Sequence, residues 1–146
     1  MKYTVNKMAS CENELILNYS TECPEVEAAL SFMEKNQHKL VGRVDGETVI
    51  ISPADILYVE KVDDKTFAYT ANKVVQLDLS LYSLEVLLDD ISFFRCSKSM
   101  IVNVRKVVKL KSMSSNRIDA VLESGEHIII SRTYASDFRK LLRGEL

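Results

Sequence analysis

Between Leu40 and Ser131 the apolar residues come in short runs, and a turn signal closes almost every one. Val41–Val44 and Glu47–Ser52 flank Asp45-Gly46, the dipeptide that a two-residue hairpin turn favours. Pro53-Ala54-Asp55 breaks the pattern, and Ile56–Glu60 resumes it as a buried strand. Val62–Lys65 is a loop, Thr66–Thr70 a strand, Ala71-Asn72-Lys73 a turn, and Val74–Leu79 a further strand. Phe93–Arg95, Met100–Val104, Val107–Ser112, Arg117–Glu123 and His127–Ser131 complete the series. Period-2 alternation in such short segments predicts a mostly β body.

Three segments break into helical spacing instead. Val26, Ala29, Leu30 and Met33 place one apolar face on a helix over 24–38, with Pro24 in its first turn and Ser20 or Thr21 as cap. Leu81, Leu84, Leu87 and Leu88 do the same over 80–88, with Ser80 as cap. A closing helix is expected over 136–143. Ahead of the β body, Met1–Met8 and Glu14–Tyr19 read as a hairpin. The first 40 residues are thus expected to be a ββα extension, and 41–146 the principal domain.

The sequence excludes more chemistry than it suggests. It has no phosphate-cradling glycine motif, no HExxH and no GxSxG. His38 ends a predicted helix and His127 starts a predicted strand, and neither has ligands at metal spacing. Asp63-Asp64 is turn chemistry. Neither an enzymatic activity nor a cofactor, a metal or a small-molecule substrate is expected. Cys11, Cys23 and Cys96 form no CxxC and are an odd number, which fits reduced structural thiols. No apolar run approaches the ~20 residues that span a membrane. The N-terminus lacks the apolar core of a secretory signal. A cytoplasmic protein is expected.

The net charge of −2 conceals its distribution. Residues 1–94 carry 8 basic and 16 acidic side chains, whereas 95–146 carry 11 and 5. Arg95 to Arg117 holds seven basic residues and no acid. A polyanion responds to such a local field more than to the chain total. Lys65, Lys98 and Arg132 stand in three separate loops or loop edges beside short polar side chains: Thr66, Ser97 with Ser99, and Ser131 with Thr133. Such groups donate to phosphates or read base edges. The plainer reading of Lys106, Lys109 and Lys111 is the wet face of an edge strand. Asn103 follows three apolar residues, which favours tying loop backbones over contacting a base. For Tyr134, packing against the closing helix competes with a phosphate contact.

The ordered series ILYVE, DDKTFAYT, FFRCSKSMIVNVRKV and LESGEHIIISRTY, with a short closing helix, is similar to the LytTR DNA-binding domain. The resemblance covers about Val41 to Leu146. It implies a compact β domain of about ten short strands with small helices, whose loops enter successive major grooves of double-stranded promoter DNA. It also implies a bacterial transcriptional regulator, with two protomers on paired repeats. Carried over residue by residue, it points to Lys65, Thr66, Ser97, Lys98 and Arg132. Many members have His where Ser97 stands here, which bears on sequence preference. Some 40 residues precede the body, too few for the receiver domain that many members carry. A stand-alone, response-regulator-like member is the expectation.

The expected function is therefore sequence-specific DNA binding led by Lys98 and Arg132, with Lys65 third. Arg105, Lys106 and Lys109 would add phosphate affinity. Two rivals stand beside it. One is a protein-interaction module with a basic docking face. The other is a redox sensor using Cys96, whose neighbours Arg95 and Lys98 favour a thiolate.

Overall fold

A computed structural model describes residues 2, 4–5, 15–88, 90 and 92–144. Its elements follow the sequence closely from Leu40 onward. The strands are β1 (Leu40–Val44), β2 (Glu47–Ile51), β3 (Ile56–Val62), β4 (Lys65–Thr70), β5 (Val74–Leu77), β6 (Phe93–Ser97), β7 (Met100–Asn103), β8 (Val107–Ser112), β9 (Ile118–Leu122) and β10 (His127–Ile130). The helices are α1 (Pro24–Gln37), α2 (Leu81–Leu87) and α3 (Arg132–Leu142). Single 3-10 turns at Pro53–Asp55, Val104–Lys106 and Ser114–Asn116 join strands. Among the described residues no helix is long and apolar enough to cross a membrane.

Seven strands form one sheet in the order β2-β1-β5-β4-β3-β7-β6, and β10-β9-β8 form a second. Every described pairing is antiparallel. Because side chains alternate across a strand, the large sheet has two distinct faces. One face carries Leu40, Val59, Ala68, Val75, Leu77 and Ile101, and α2 covers it with Leu81, Leu84 and Leu88. The other carries Tyr58, Cys96 and Val102 and meets Ile118, Ala120, Leu122, Ile128 and Ile130 of the small sheet, with Ala135 and Phe138 of α3. The large sheet is thus the middle layer between two hydrophobic cores.

β1 reaches β5 only because residue 42 is glycine. A Cβ there would lie 2.3 Å from Val75 Cγ1 and 2.6 Å from the Gln76 carbonyl oxygen. At Asp45-Gly46 the turn has φ of 49° and 80°, the left-handed pair of a tight hairpin.

The N-terminal expectation needs correction in part. Most of Met1–Met8 lies outside the described residues, and Leu15–Tyr19 forms no strand. Helix α1 is present, but its N-cap is Cys23, with no side-chain capping bond, rather than Ser20 or Thr21. Helix α1 lies against the body where the Arg105 guanidinium sits 5.1 Å from the Phe32 ring centroid. The closing helix starts at Arg132, four residues before the expected start. Ser131 holds extended backbone as its N-cap, and Ala135 and Phe138 supply the buried face.

Candidate nucleic-acid interface

Strand register gathers the loops that the sequence singled out. Val62 pairs with Lys65 at the closed end of the β3–β4 hairpin. Glu60 pairs with Met100 across β3 and β7, and Ser97 with Met100 across β6 and β7. Both hairpin turns therefore lie at the same end of the large sheet. Asp63 and Asp64 make the first turn with φ of 50° and 62°, which short polar side chains tolerate. The two turns are tied by the Lys61 amide, which donates to the Ser99 carbonyl at 2.8 Å.

The third loop arrives from the small sheet. Its β10 ends at Ile130, and the Ser131 amide donates to the Cys96 carbonyl at 2.8 Å. Arg132 follows as the first residue of α3. Ile130 pairs with Ile118, which in turn pairs with Ser112, so Lys111 and Arg117 belong to this end as well. Two backbone bonds thus join three cation-bearing loops into one surface on a β frame.

Lys65, Lys98 and Arg132 are exposed there, and their side chains have no hydrogen bond or ion pair among the described residues. Ser97 first shapes its own turn: its Oγ accepts from the Ser99 amide at 3.2 Å. Its Oγ also lies 3.5 Å from Ser99 Oγ, where either hydroxyl can donate. Thr66 is only 5 % exposed, so its side chain has almost no surface to offer a ligand.

The remaining strip of cations is not one patch. Strand β7 carries the chain away from the Lys98 turn, a path of about 10 Å for four residues. Arg105 and Lys106 stand at its far end. Arg105 Nε donates to Ser92 Oγ at 2.6 Å, and its ring contact with Phe32 engages the same guanidinium. Lys106 Nζ pairs with Glu123 Oε1 at 3.1 Å. The sequence offered both as added phosphate affinity along the basic strip; the fold sets them a strand's length from the Lys98 turn and gives them protein partners. Lys109 is exposed on β8, an edge strand, about two residues or 7 Å behind Lys111. That position satisfies the edge-strand reading and still faces solvent beside the site.

Asn103 is 2 % exposed, donates through Nδ2 to the Ile56 carbonyl at 2.8 Å and accepts from the Arg105 amide at 3.1 Å. It ties two backbones and has no surface for a base. Tyr134 packs edge-on to Phe94, with centroids 6.5 Å apart. Cys96 is fully buried, and burial pushes its thiol up to about 12, outweighing the nearby Arg95 cation. A thiol so placed is a poor redox sensor.

One contributor was not legible in the sequence as a site residue. Lys61 ends up at the tip through its bond to Ser99, and its Nζ lies 3.7 Å from Asp64 Oδ1. The only sequence signal was its place two residues before a tight turn. Asp63 and Asp64 also share this tip, and their charge opposes an anion. Among the described residues no cluster of His, Cys, Asp and Glu could hold a metal. A cleft of about 340 Å3 opens away from the tip, lined by Ile50, Asp55, Asn72, Lys106 and Glu123 among others.

Three loops with exposed cations, joined by backbone bonds on an antiparallel frame, thus form one end of a two-sheet β domain. The chain belongs to the LytTr DNA-binding domain family, whose model matches residues 46–143. A solved LytTr DNA-binding domain of a putative methyl-accepting/DNA response regulator from Bacillus cereus superposes with a TM-score of 0.69 at 29% identity, covering 71% of this chain and 95% of that one. The sensory transduction protein LytT of Bacillus cereus is 30% identical over 106 residues, 73% of this chain and 43% of that protein. An HTH-type transcriptional regulator of Staphylococcus aureus is 32% identical over 114 residues, 78% of this chain and 76% of that protein. The chain therefore spans less than half the length of the LytT relatives that it matches.

Proposed function

We propose that the protein is a transcriptional regulator that binds double-stranded promoter DNA sequence-specifically through the loop end of its large sheet. Lys98 and Arg132 lead the contacts. Arg132 fits guanine O6 and N7 with two parallel bonds, and Lys98 reaches a base edge or a phosphate. Lys65 is third, and Ser97 adds a hydroxyl donor. Lys109 contributes charge along the flanking edge strand. Thr66, Arg105 and Lys106 belong to the frame and not to the contact surface. Residues 1–40 form an extension whose helix docks on a DNA-binding body of residues 41–146, and two protomers occupy paired repeats.

The observation that carries this reading is the pair of backbone bonds, Lys61 to Ser99 and Ser131 to Cys96. They hold three loops in fixed relation, and rigid support is what converts a cationic surface into a reader of base edges. The names of the relatives point the same way, since two of them are a DNA-binding domain and a transcriptional regulator.

Selection of bound duplexes from a random-sequence library, followed by salt titration on the enriched sequence, tests the proposal. A recurring motif in two copies at fixed spacing is expected. The logarithm of affinity should fall with the logarithm of salt by about 0.9 per phosphate neutralised, with roughly four to six contacts. No enriched motif and a flat salt response would overturn the reading in favour of a protein-docking module.

A further inference from the structure

Arg95 is the first cation of the basic stretch, yet each of the three nitrogens of its guanidinium bonds within the protein. Its Nε donates to the Ser97 carbonyl at 2.7 Å, and its Nη2 donates to the Lys98 carbonyl. Its Nη1 meets Glu85 Oε2 at 2.9 Å. Together with the Lys61 amide on the Ser99 carbonyl, these bonds leave three consecutive carbonyls of the turn held from outside it. A turn whose carbonyls are held in this way gives the exposed Lys98 side chain a fixed point of departure.

The clamp has its own anchor. Glu85 lies on α2, whose Leu81 and Leu84 are buried in the core against the large sheet. The Arg95 and Glu85 side chains are 21% and 38% exposed, so solvent screens the pair only in part. Lysine cannot reproduce the arrangement, because a planar guanidinium bonds two carbonyls and a carboxylate along fixed directions and an ammonium does not.

We infer that Arg95, clamped by Glu85, is a positioning residue for DNA discrimination: it holds the Ser97–Met100 turn so that Lys98 is presented, and does not itself contact DNA. The inference rests on the DNA-binding reading above for its consequence, but its structural half stands on the hydrogen bonds alone.

The test uses the full chain and the variants Arg95→Lys, Glu85→Ala, Lys98→Ala and the double variant Arg95→Lys/Lys98→Ala. Affinity for the library-selected duplex and for a scrambled duplex is measured across salt, and backbone amide shifts and hydrogen exchange are recorded on the free protein. Arg95→Lys should lower the selected-to-scrambled ratio at least tenfold with the salt slope unchanged. Glu85→Ala should lower it in the same direction by less. The double variant should discriminate no worse than Lys98→Ala, because both act through the same side chain. In free Arg95→Lys protein the Lys98 and Ser99 amides should shift and exchange faster while the core amides of β3 keep their protection.

A salt slope reduced by about one, with equal loss on both duplexes, would make Arg95 a phosphate contact and overturn the inference. So would an unchanged ratio, or losses from Arg95→Lys and Lys98→Ala that simply add. If the unaltered protein prefers no duplex, the DNA reading fails by itself. The amide measurements then still decide on the clamp, and unchanged Lys98 and Ser99 amides in Arg95→Lys overturn it.

Discussion

The amide of Ser131 donates to the carbonyl of Cys96 at 2.8 Å. Through this bond the end of the small sheet is stitched to the edge strand of the large one, and Arg132 comes to lie beside the Lys98 turn. Neither residue of the pair needs to touch a ligand for the surface to depend on it.

Gly42 permits the approach of β1 to β5. Gly42→Ala places a methyl 2.6 Å from the Gln76 carbonyl oxygen, which is backbone and cannot swing away. Urea unfolding should show a loss of roughly 1–3 kcal/mol, in the range of overpacked cores. DNA affinity of the protein that remains folded should be little changed, since Lys98 and Arg132 sit by the β7-β6 edge, three strands or more across the sheet from the β1–β5 pair.

Asn103→Ala leaves the Ile56 carbonyl and the Arg105 amide without their partner. The expected cost is roughly 1–3 kcal/mol of stability, because unsatisfied groups at a buried site lose their hydration as well. Chemical denaturation of the variant and the parent at one pH measures it. A variant as stable as the parent would remove Asn103 from the frame.

How much of this was legible before the fold was known varies by residue. The Asp45-Gly46 hairpin was readable because a left-handed pair of backbone angles has a local chemical signature. The exposure of Lys98 and Arg132 was readable because each cation stands among short polar side chains at a strand end. The start of α3 was not, because Arg132-Thr133-Tyr134 has no apolar period and only the packing of Ala135 and Phe138 makes it helical. That Arg105 and Lys106 stand a strand's length from the Lys98 turn, with Ser92 and Glu123 as partners, was not legible, because strand direction is a tertiary fact. Arg95 looked like one more cation because hydrogen bonding to a neighbouring turn leaves no mark on composition.

Asp63 and Asp64 stand at the proposed contact end and oppose phosphate. Replacing both with Asn removes the charge while keeping a residue that tolerates the left-handed backbone. DNA affinity at low salt should rise roughly threefold to tenfold, and the gain should shrink as salt screens it. Titration at two ionic strengths checks this. An unchanged or weakened affinity would move the β3–β4 turn out of the interface.

The Cys96 thiol gives a pH dependence of definite sign. Burial raises it from its ordinary 9.0 to about 12, so the folded protein keeps a proton that the unfolded chain releases. Its contribution is fully present below about pH 9 and is lost as pH rises toward 12, by at most about 1.4 kcal/mol per pH unit. The stability of the parent should fall faster than that of Cys96→Ala over this window. Parallel curves would show that the thiol does not titrate as its burial requires.

In the proposed binding mode Lys98 and Arg132 read DNA from a rigid frame while strand cations only attract it. Affinities of Arg132→Ala and Lys109→Ala for a library-selected operator and a scrambled duplex, with a melting curve for each, test it most directly. Arg132→Ala should cost ~1–3 kcal/mol on the operator and relax preference at one base pair. Lys109→Ala should weaken both duplexes about equally and reduce the salt slope by up to ~1. Neither should lower stability by more than ~0.5 kcal/mol, since both side chains are exposed. If Arg132→Ala unfolds the protein, or weakens operator and scrambled DNA alike, Arg132 does not read DNA.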